Sequence, residues 1–309
     1  MSDSLHISES VRRAISEKRA VVALETTVIA HGLPRPLNVE TARECEAAVA
    51  REGAHPATIG VIAGRLTVGM SDAEVERFGA LPAPDGSRIE KVGLNNLAGV
   101  IARGGWGATT VAATMRIAAL AGLRVFATGG IGGVHRGAGE TFDVSADLTA
   151  LGRTAMVCVC AGAKAILDLP KTVEVLETLG VPILGYRTNE FPAFYSRDSG
   201  LSVDIAVASP EEAAEVAWNH WRTGGKSAVL VCAPVPDDYA MPREEAERAV
   251  ERAVALAEQQ GVRGKALTPF LLAQMKNLTE GRTLAANRAL LVNNAAIAAQ
   301  IAVRLVNRS

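Results

Sequence analysis

The chain has 309 residues, 49% of them hydrophobic, and a formal net charge of −1. This length allows one large domain with a substantial core. The balanced charge disfavours a nucleic-acid polymer as partner, because such proteins normally present a basic face, whereas a small metabolite remains compatible with the composition.

The N-terminal segment is polar and predicts a helix or arm over about residues 1–18, ahead of a single domain covering 1–309. It has no apolar core of the kind found in secretory signals. No window approaches 18 uninterrupted apolar residues, so no membrane span is expected. Four cysteines without CxxC spacing are typical of buried thiols in a reducing compartment. We therefore expect a cytoplasmic protein.

In the first half of the chain, apolar runs alternate with amphipathic patterns. The runs predict strands over 20–30 and 124–130. The segment 57–70 is predicted to form a strand followed by its short hairpin partner. The amphipathic patterns predict helices over 38–53, 71–79 and 108–123. Ser71 followed by Glu74 is a capping-box pattern, which marks the start of the second of these helices.

The second half continues the alternation before becoming mostly helical. Strands are predicted over 157–160, 181–186 and 227–235, and helices over 209–225, 242–260, 268–279 and 283–307. Strands separated by helices are typical of βαβ units. The chain should therefore form an α/β fold with a largely parallel sheet and helices on both faces.

Ligands of such folds lie beyond the carboxyl ends of the strands. This rule directs attention to Glu25, the glycine-rich loop 129–139, Lys164 and the turn near Pro234. Two phosphate-binding fingerprints fail in detail. The loop "GGIGGVHRGAGE" has no G-x-G-x-x-G register, and "TGGKS" lacks the first glycine of a Walker A loop. Neither a dinucleotide cofactor nor nucleotide hydrolysis is supported.

Polar side chains are concentrated in the segment 127–148, "ATGGIGGVHRGAGETFDVSADL". Glycines after a strand allow backbone N–H groups to approach an anion closely, so a functional loop is favoured over a solvated turn. Ser145 is a predicted N-cap. Asp143 and Asp147 are four apart and could share a helical face, where they would hold a divalent cation or supply an acid or base.

Two charged residues interrupt apolar surroundings. Lys164 in "CAGAKAILD" would be a carbonyl nucleophile and Schiff-base former if dry surroundings kept its amine neutral, although a lysine after a strand also commonly reaches water. The residues alone leave these two readings even. Glu25 in "ALETT" must pair with a cation or hold a proton for chemistry. Lys91 and Asn287 say little by themselves.

Long stretches nevertheless resemble one family. They are "VALETTVIAHGLP", "PATIGVI", "KVGLNNL", "GATTVAATM", "VFATGGIGGVHRGAGETFDVSADL", "VCAGAKAILDLPKTVEVLETLGVPILGY", "TPFLLAQM" and "NRALLVNNA". Together they resemble pseudouridine-5′-phosphate glycosidase, also called pseudouridylate synthase and related to the indigoidine synthase A group. The resemblance runs from about residue 5 to 305, without the sugar-kinase domain fused to some relatives.

The resemblance implies an α/β/α layered fold, a homotrimer, and reversible conversion of pseudouridine 5′-phosphate and water into uracil and ribose 5-phosphate. It identifies Lys164 as the Schiff-base lysine and Glu25 as the proton donor, with Asp147 as a second relay candidate. It places Mn²⁺, held largely through water, at Asp143. The substrate contacts that it implies are Lys91, Val111, Thr128, His135, Ser145, Ala146, Asp147 and Asn287. The segment "VGLNNL" after Lys91 is less basic than in some members.

Three other functions remain compatible with these residues. A class I aldolase-like lyase would also use a Schiff-base lysine on a sugar phosphate. A sugar-phosphate sensor would keep the pocket without chemistry, although it would not need both Glu25 and Lys164. An accessory role in pigment synthesis is suggested by the name of the related group.

Overall fold

The computed structural model describes residues 4–80, 86, 88–262 and 267–308. The first three residues of the predicted N-terminal arm lie outside them. The strands within the described residues are β1 (Leu5–Ile7), β2 (Val21–Leu24), β3 (His55–Ile62), β4 (Arg65–Val68), β5 (Glu90–Val92), β6 (Gly107–Thr109), β7 (Val125–Ala127), β8 (Val157–Cys160), β9 (Ile183–Tyr186), β10 (Ile205–Val207) and β11 (Val229–Cys232).

Helices separate most of these strands. They are α1 (Glu9–Ser16), α2 (Leu37–Arg51), α3 (Asp72–Ala80), α4 (Leu97–Ala102), α5 (Val111–Leu120), α6 (Ala138–Thr141), α7 (Ala146–Leu151), α8 (Leu169–Thr178), α9 (Pro210–Arg222), α10 (Arg243–Gln259), α11 (Leu267–Leu278) and α12 (Arg282–Val306). A π-helical turn spans Val28–Gly32, and a short 3₁₀ turn spans Asp237–Tyr239.

The strands form one mixed sheet in which parallel pairs predominate. Its order is β1-β4-β3-β2-β7-β8-β11-β9-β10, and β6 joins at β3 and carries β5. The pairs β3–β4 and β3–β6 are antiparallel. Helix α12 lies across β2, β7 and β8 with α2 and α9 beside it, and α5 packs on α7 against the other face. The predicted three-layer α/β/α fold of a single domain is confirmed.

The sequence placed most elements correctly but misjudged several ends. The predicted strand 20–30 ends at Leu24, and residues 28–32 form the π-helical turn instead. The predicted helix 108–123 begins only at Val111, because residues 107–109 pair as β6 with β3 and β5. Short strands such as β1, β5 and β10 gave no alternating pattern long enough to read.

Local capping explains where the helices around the sheet begin. Ser71 and Glu74 form the predicted capping box, with the Ser71 N–H donating to Glu74 Oε2 at 2.7 Å. Ser145 begins α7 by accepting from the Asp147 N–H at 3.2 Å, as predicted. Thr110 caps α5 in the same way. Each cap satisfies an N–H group that the first helical turn leaves without a partner.

Helix α12 is long and apolar enough by composition to cross a membrane. However, 56% of its most apolar 18-residue window is buried, and the helix packs along the sheet. A central helix of a layered α/β fold has this character, because it is surrounded by apolar side chains on most sides. The four cysteines are buried and unpaired, as expected.

Candidate active site

Three neighbouring strands bring the principal polar residues together. Glu25 directly follows β2, and Thr128 directly follows β7. Lys164 follows β8 after the short segment 161–163. Because β2, β7 and β8 are adjacent and parallel, their carboxyl ends lie at the same edge of the sheet. This edge is the position that the βαβ pattern predicted for a ligand.

The backbone beyond β7 is bonded to the backbone beyond β8. The Ala161 N–H donates to the Gly129 carbonyl at 2.9 Å, and the Lys164 N–H donates to the Ile131 carbonyl at 3.1 Å. Gly162 has a φ of +82°, and a Cβ there would lie 2.2 Å from the Pro192 carbonyl oxygen. Only glycine fits this position, so it fixes the path that leads to Lys164.

A pocket opens at this edge and encloses about 590 Å³ of empty space, part of it open to solvent. Its polar lining consists of Glu25, Thr27, His31, Lys91, Thr128, Lys164 and Asn287, and its apolar lining includes Val28, Phe194, Leu272 and Leu291. An apolar cleft with a few convergent polar groups is typical of a site for a small organic ligand.

Glu25 combines partial burial with specific partners. Desolvation by burial raises the pKa of its carboxyl group, while the positive charge of Lys164 and a hydrogen bond from Thr128 oppose that rise. Thr128 Oγ1 donates to Glu25 Oε1. The raised pKa favours a protonated carboxyl group at higher pH than usual, which suits a proton donor.

Lys164 is half-buried and lies close enough to Glu25 and His135 for its charge to act on both. Its Nζ atom makes no hydrogen bond or ion pair with any residue that the structure describes. Its side chain lines the same pocket as Glu25. The amine is therefore placed to meet a ligand.

A second group of predicted residues lies around the starts of α5 and α7. Val111 is the first residue of α5, Ser145 caps α7, and Ala146 is the first residue of α7. Lys91 lies on β5, whose neighbour β6 leads directly into α5. Lys91 supplies the positive charge for an anion such as phosphate, because side-chain oxygens already accept from N–H groups in the first turn of both helices.

Asp147 joins these two helices. Its Oδ1 accepts from the Ala112 N–H at 2.9 Å, and its Oδ2 accepts from the Gly132 N–H at 2.9 Å. A Cβ on Gly132 would lie 2.7 Å from Oδ2, so glycine permits this contact. Asp147 is buried and therefore holds the glycine loop against both helices. Its role as a proton relay stays a prediction.

The expectation that Asp143 and Asp147 share a helical face is wrong. Helix α7 begins at Ala146, so Asp143 precedes it, and both Asp147 oxygens bond to backbone N–H groups. Asp143 instead faces His135, with 4.0 Å between its Oδ2 and His135 Nδ1. Burial lowers the pKa of His135, and Asp143 opposes this shift.

Replacing Asp147 by Ala should destabilise the protein, because the buried Ala112 and Gly132 N–H groups would lose their acceptor. We expect the free energy of unfolding to fall by roughly 2–5 kcal/mol, measured by urea denaturation. Asp204→Ala, which removes an exposed aspartate, is the matched control. Equal stability of the two variants would contradict the structural role of Asp147.

The described residues contain no group of three or more His, Cys, Asp or Glu side chains arranged for a metal ion. Asp143 offers one carboxylate, and its side chain is 44% exposed to solvent. Mn²⁺ and Mg²⁺ accept one or two carboxylates with water in the remaining positions. Asp143 therefore fits only a largely hydrated cation.

The structure also brings in residues that the sequence did not single out. His31 lies on the π-helical turn, Phe194 lies between β9 and β10, and Leu272 lies on α11. Phe194 and Leu272 reach the pocket from distant parts of the chain, so no local pattern marks them. For His31 the signal was a histidine in "VIAHGLP", directly after an apolar run.

Known proteins are similar to this chain over nearly its whole length. The model of the family "Indigoidine synthase A like protein" matches residues 10–304. A pseudouridine-5′-phosphate glycosidase of Caldanaerobacter subterraneus subsp. tengcongensis is 52% identical over 305 residues, covering 99% of this chain and 98% of its own. A Sorangium cellulosum protein of the same name is 50% identical, covering 99% of this chain and 95% of its own.

Two solved structures share the fold. The prealnumycin C-glycosynthase AlnA, in complex with ribulose 5-phosphate, superposes with a TM-score of 0.91 at 38% identity, covering 100% of this chain and 99% of its own. An indigoidine synthase A-like protein from Thermotoga maritima superposes with a TM-score of 0.87 at 38% identity, covering 98% of this chain and 96% of its own. The chain therefore belongs to the indigoidine synthase A-like family, together with the proteins named pseudouridine-5′-phosphate glycosidase.

Proposed function

We propose that this protein is a pseudouridine-5′-phosphate glycosidase, a lyase that reversibly converts pseudouridine 5′-phosphate and water into uracil and ribose 5-phosphate. Relatives at about 50% identity over the full chain bear that name. AlnA is named for making a C-glycoside and binds a five-carbon sugar phosphate. The observation that supports the proposal for this chain is the Lys164 amine, which has no ion pair among the described residues and lines one pocket with Glu25.

The bond to be broken explains why a lysine is needed. Pseudouridine joins ribose C1′ to uracil C5 through carbon, so there is no leaving oxygen or nitrogen for a carboxylic acid to protonate. The paired carboxylates of ordinary glycosidases would therefore have little to act on. An amine can instead form a covalent adduct at C1′ and accept the positive charge as an iminium ion.

The proposed reaction proceeds through a covalent adduct between Lys164 and C1′. The neutral Lys164 amine adds to C1′ as the C1′–O4′ bond breaks, and O4′ takes a proton to become a hydroxyl group. The new ammonium nitrogen gives up one proton, which restores its lone pair. The nitrogen lone pair then forms C=N⁺ as the C1′–C5 bond breaks, and its electron pair stays with the uracil, whose C5 has taken a proton. Water adds to the iminium ion, and departure of the amine releases ribose 5-phosphate.

Glu25 is the proposed proton donor to the ring oxygen or to the base. Its raised pKa extends the protonated form to higher pH than usual, and Thr128 orients the carboxyl group through its hydrogen bond. The Lys164 charge opposes the rise that burial causes in the pKa of Glu25. Asp147 is a second relay candidate.

The remaining predicted contacts divide into two ends of the site. We assign the phosphate to Lys91 and the starts of α5 and α7, through Val111, Ser145 and Ala146. Thr128, His135 and Asn287 would contact the sugar or the base. With these assignments, C1′ would lie between the two ends, at Lys164.

The direct test mixes purified protein with Mn²⁺, uracil and ribose 5-phosphate and analyses the product by mass spectrometry. We expect a C-nucleotide with the mass of pseudouridine 5′-phosphate that resists acid hydrolysis. An aldolase would make no such product, and a sensor would bind ribose 5-phosphate without turnover. Either result would contradict the proposed function.

We further propose that Mn²⁺ binds at Asp143 mainly through water, where its positive charge would help to order the phosphate. Support comes from the hard carboxylate oxygen and its partial exposure. Chelation should lower activity, and Mn²⁺ should restore it. Asp143→Asn should raise the Mn²⁺ concentration for half-maximal activity by roughly tenfold or more, since one charged ligand is lost. Chelation without effect would contradict this site.

We also propose a cytoplasmic homotrimer, on the basis of the family resemblance. Light scattering on the purified protein should give about three times the 32.2 kDa chain mass. A monomer mass would contradict the trimer. Fractionation of the cells that produce the protein tests the cytoplasmic location.

A further inference from the structure

One buried ring nitrogen of His31 lacks a hydrogen-bond partner among the described residues. His31 lies on the π-helical turn Val28–Gly32 and lines the same pocket as Glu25 and Lys164. Its Nε2 is buried and makes no hydrogen bond with any residue that the structure describes. An unsatisfied buried polar atom is costly, and π-helical turns are frequent at functional sites.

The surroundings of His31 define the state of its imidazole ring. Burial lowers its pKa, and the positive charges of Lys91 and Arg88 lower it further. The backbone of Ile89 and Glu90 lies close enough to the ring to oppose this shift in pKa. The neutral tautomer that carries its N–H on Nδ1 leaves a lone pair on the unpartnered Nε2. His31 is therefore uncharged at neutral pH and offers the lone pair of Nε2.

A neutral nitrogen lone pair accepts hydrogen bonds and donates none. It would satisfy an N–H or O–H group but not a phosphate dianion, which has acceptors only. Val28 on the same turn, together with Leu272 and Leu291, provides an apolar wall beside His31. A flat ring that carries N–H groups at its edge matches this combination of an apolar wall and a single acceptor.

We propose that His31 Nε2 accepts a hydrogen bond from a ring N–H of the pyrimidine, which makes His31 a specificity-determining residue at the base end of the site. The inference rests on the proposed function and names the part of the substrate that His31 recognises. A C-linked uracil keeps both ring N–H groups, whereas an N-linked uracil has lost one to the sugar. If His31 Nε2 accepts from the ring N–H that only the C-linked uracil has, this hydrogen bond would contribute to selecting the C-nucleotide.

The test compares His31→Leu, which removes the acceptor, with His31→Gln, which supplies a carbonyl oxygen at similar reach. His6→Leu changes an exposed histidine and is the matched control. The KM values for uracil and for ribose 5-phosphate are measured separately in the direction of C-nucleotide formation. Calorimetry measures uracil binding without requiring turnover.

We expect His31→Leu to raise the KM for uracil about tenfold to a hundredfold, with less than about a twofold change for ribose 5-phosphate. His31→Gln should recover most of the affinity. His31→Ala, which leaves space, should discriminate less than the wild type against uracil methylated at N1 or at N3. A rise in the KM for ribose 5-phosphate instead would overturn the inference, since His31 would then contact the sugar phosphate.

An unchanged KM for uracil in His31→Leu would also overturn it, as would a wild type that binds no uracil in either assay. The proposed function can fail separately. If the wild type forms no C-nucleotide but binds uracil, and His31→Leu weakens that binding, the inference stands and the proposed reaction falls. If the wild type turns over and the His31 variants behave like it, only the inference falls.

Discussion

Replacing Lys164 by Ala should lower kcat by about 10⁴-fold or more, because the covalent step would lose its nucleophile. The same variant should no longer be trapped by borohydride in the presence of ribose 5-phosphate. The wild type should form a secondary amine at Lys164, since the open-chain aldehyde condenses with the amine and borohydride reduces the imine. Mass spectrometry of the intact chain and of its peptides measures both results.

Lys171→Ala provides the matched control, because Lys171 is exposed and pairs with Asp168 in the same part of the chain. It should retain activity and trapping. Lys164 forms no ion pair among the described residues, so its removal should cost about 1 kcal/mol of stability or less. If Lys164→Ala kept normal turnover, or were trapped to the wild-type extent, Lys164 would not be the nucleophile.

Glu25→Gln should lower kcat by roughly 10²- to 10⁴-fold, the usual range for loss of a general acid or base. Glutamine preserves the size of the side chain but carries no transferable proton. Trapping with ribose 5-phosphate should persist, because the sugar opens in solution and Lys164 remains. This combination, in which turnover is lost and the imine is kept, would separate proton transfer from covalent attack.

The pH profile supplies the second measurement on Glu25. The step requires the protonated carboxyl group, so kcat should fall as the pH rises through the pKa of Glu25, which burial raises above its ordinary value. Thr128→Val removes a hydrogen bond that lowers this pKa, and the alkaline fall should therefore move to higher pH. Glu25→Gln should lose this limb altogether. A limb that survived unchanged in Glu25→Gln would belong to another group.

The secondary structure was largely readable from local sequence. The apolar run "VCVC" forms β8 with the predicted ends, and Ser71 and Ser145 cap the helices that they were expected to begin. These features depend on side-chain periodicity and on hydrogen bonds within one helical turn. The predicted strand 20–30 was too long because its apolar run continues past the point where backbone pairing with β3 and β7 stops.

The sequence by itself determined which residues lie at the ends of strands, and on that basis Glu25 and Lys164 were predicted to belong to the active site. Only the tertiary structure decided that β2, β7 and β8 are neighbours, which brings Glu25, Thr128 and Lys164 into one pocket. It also decided that Asp147 holds backbone N–H groups 15 and 35 residues away, rather than a partner carboxylate. The physical reason is range: strand order and burial arise from contacts between distant segments, which no local pattern records.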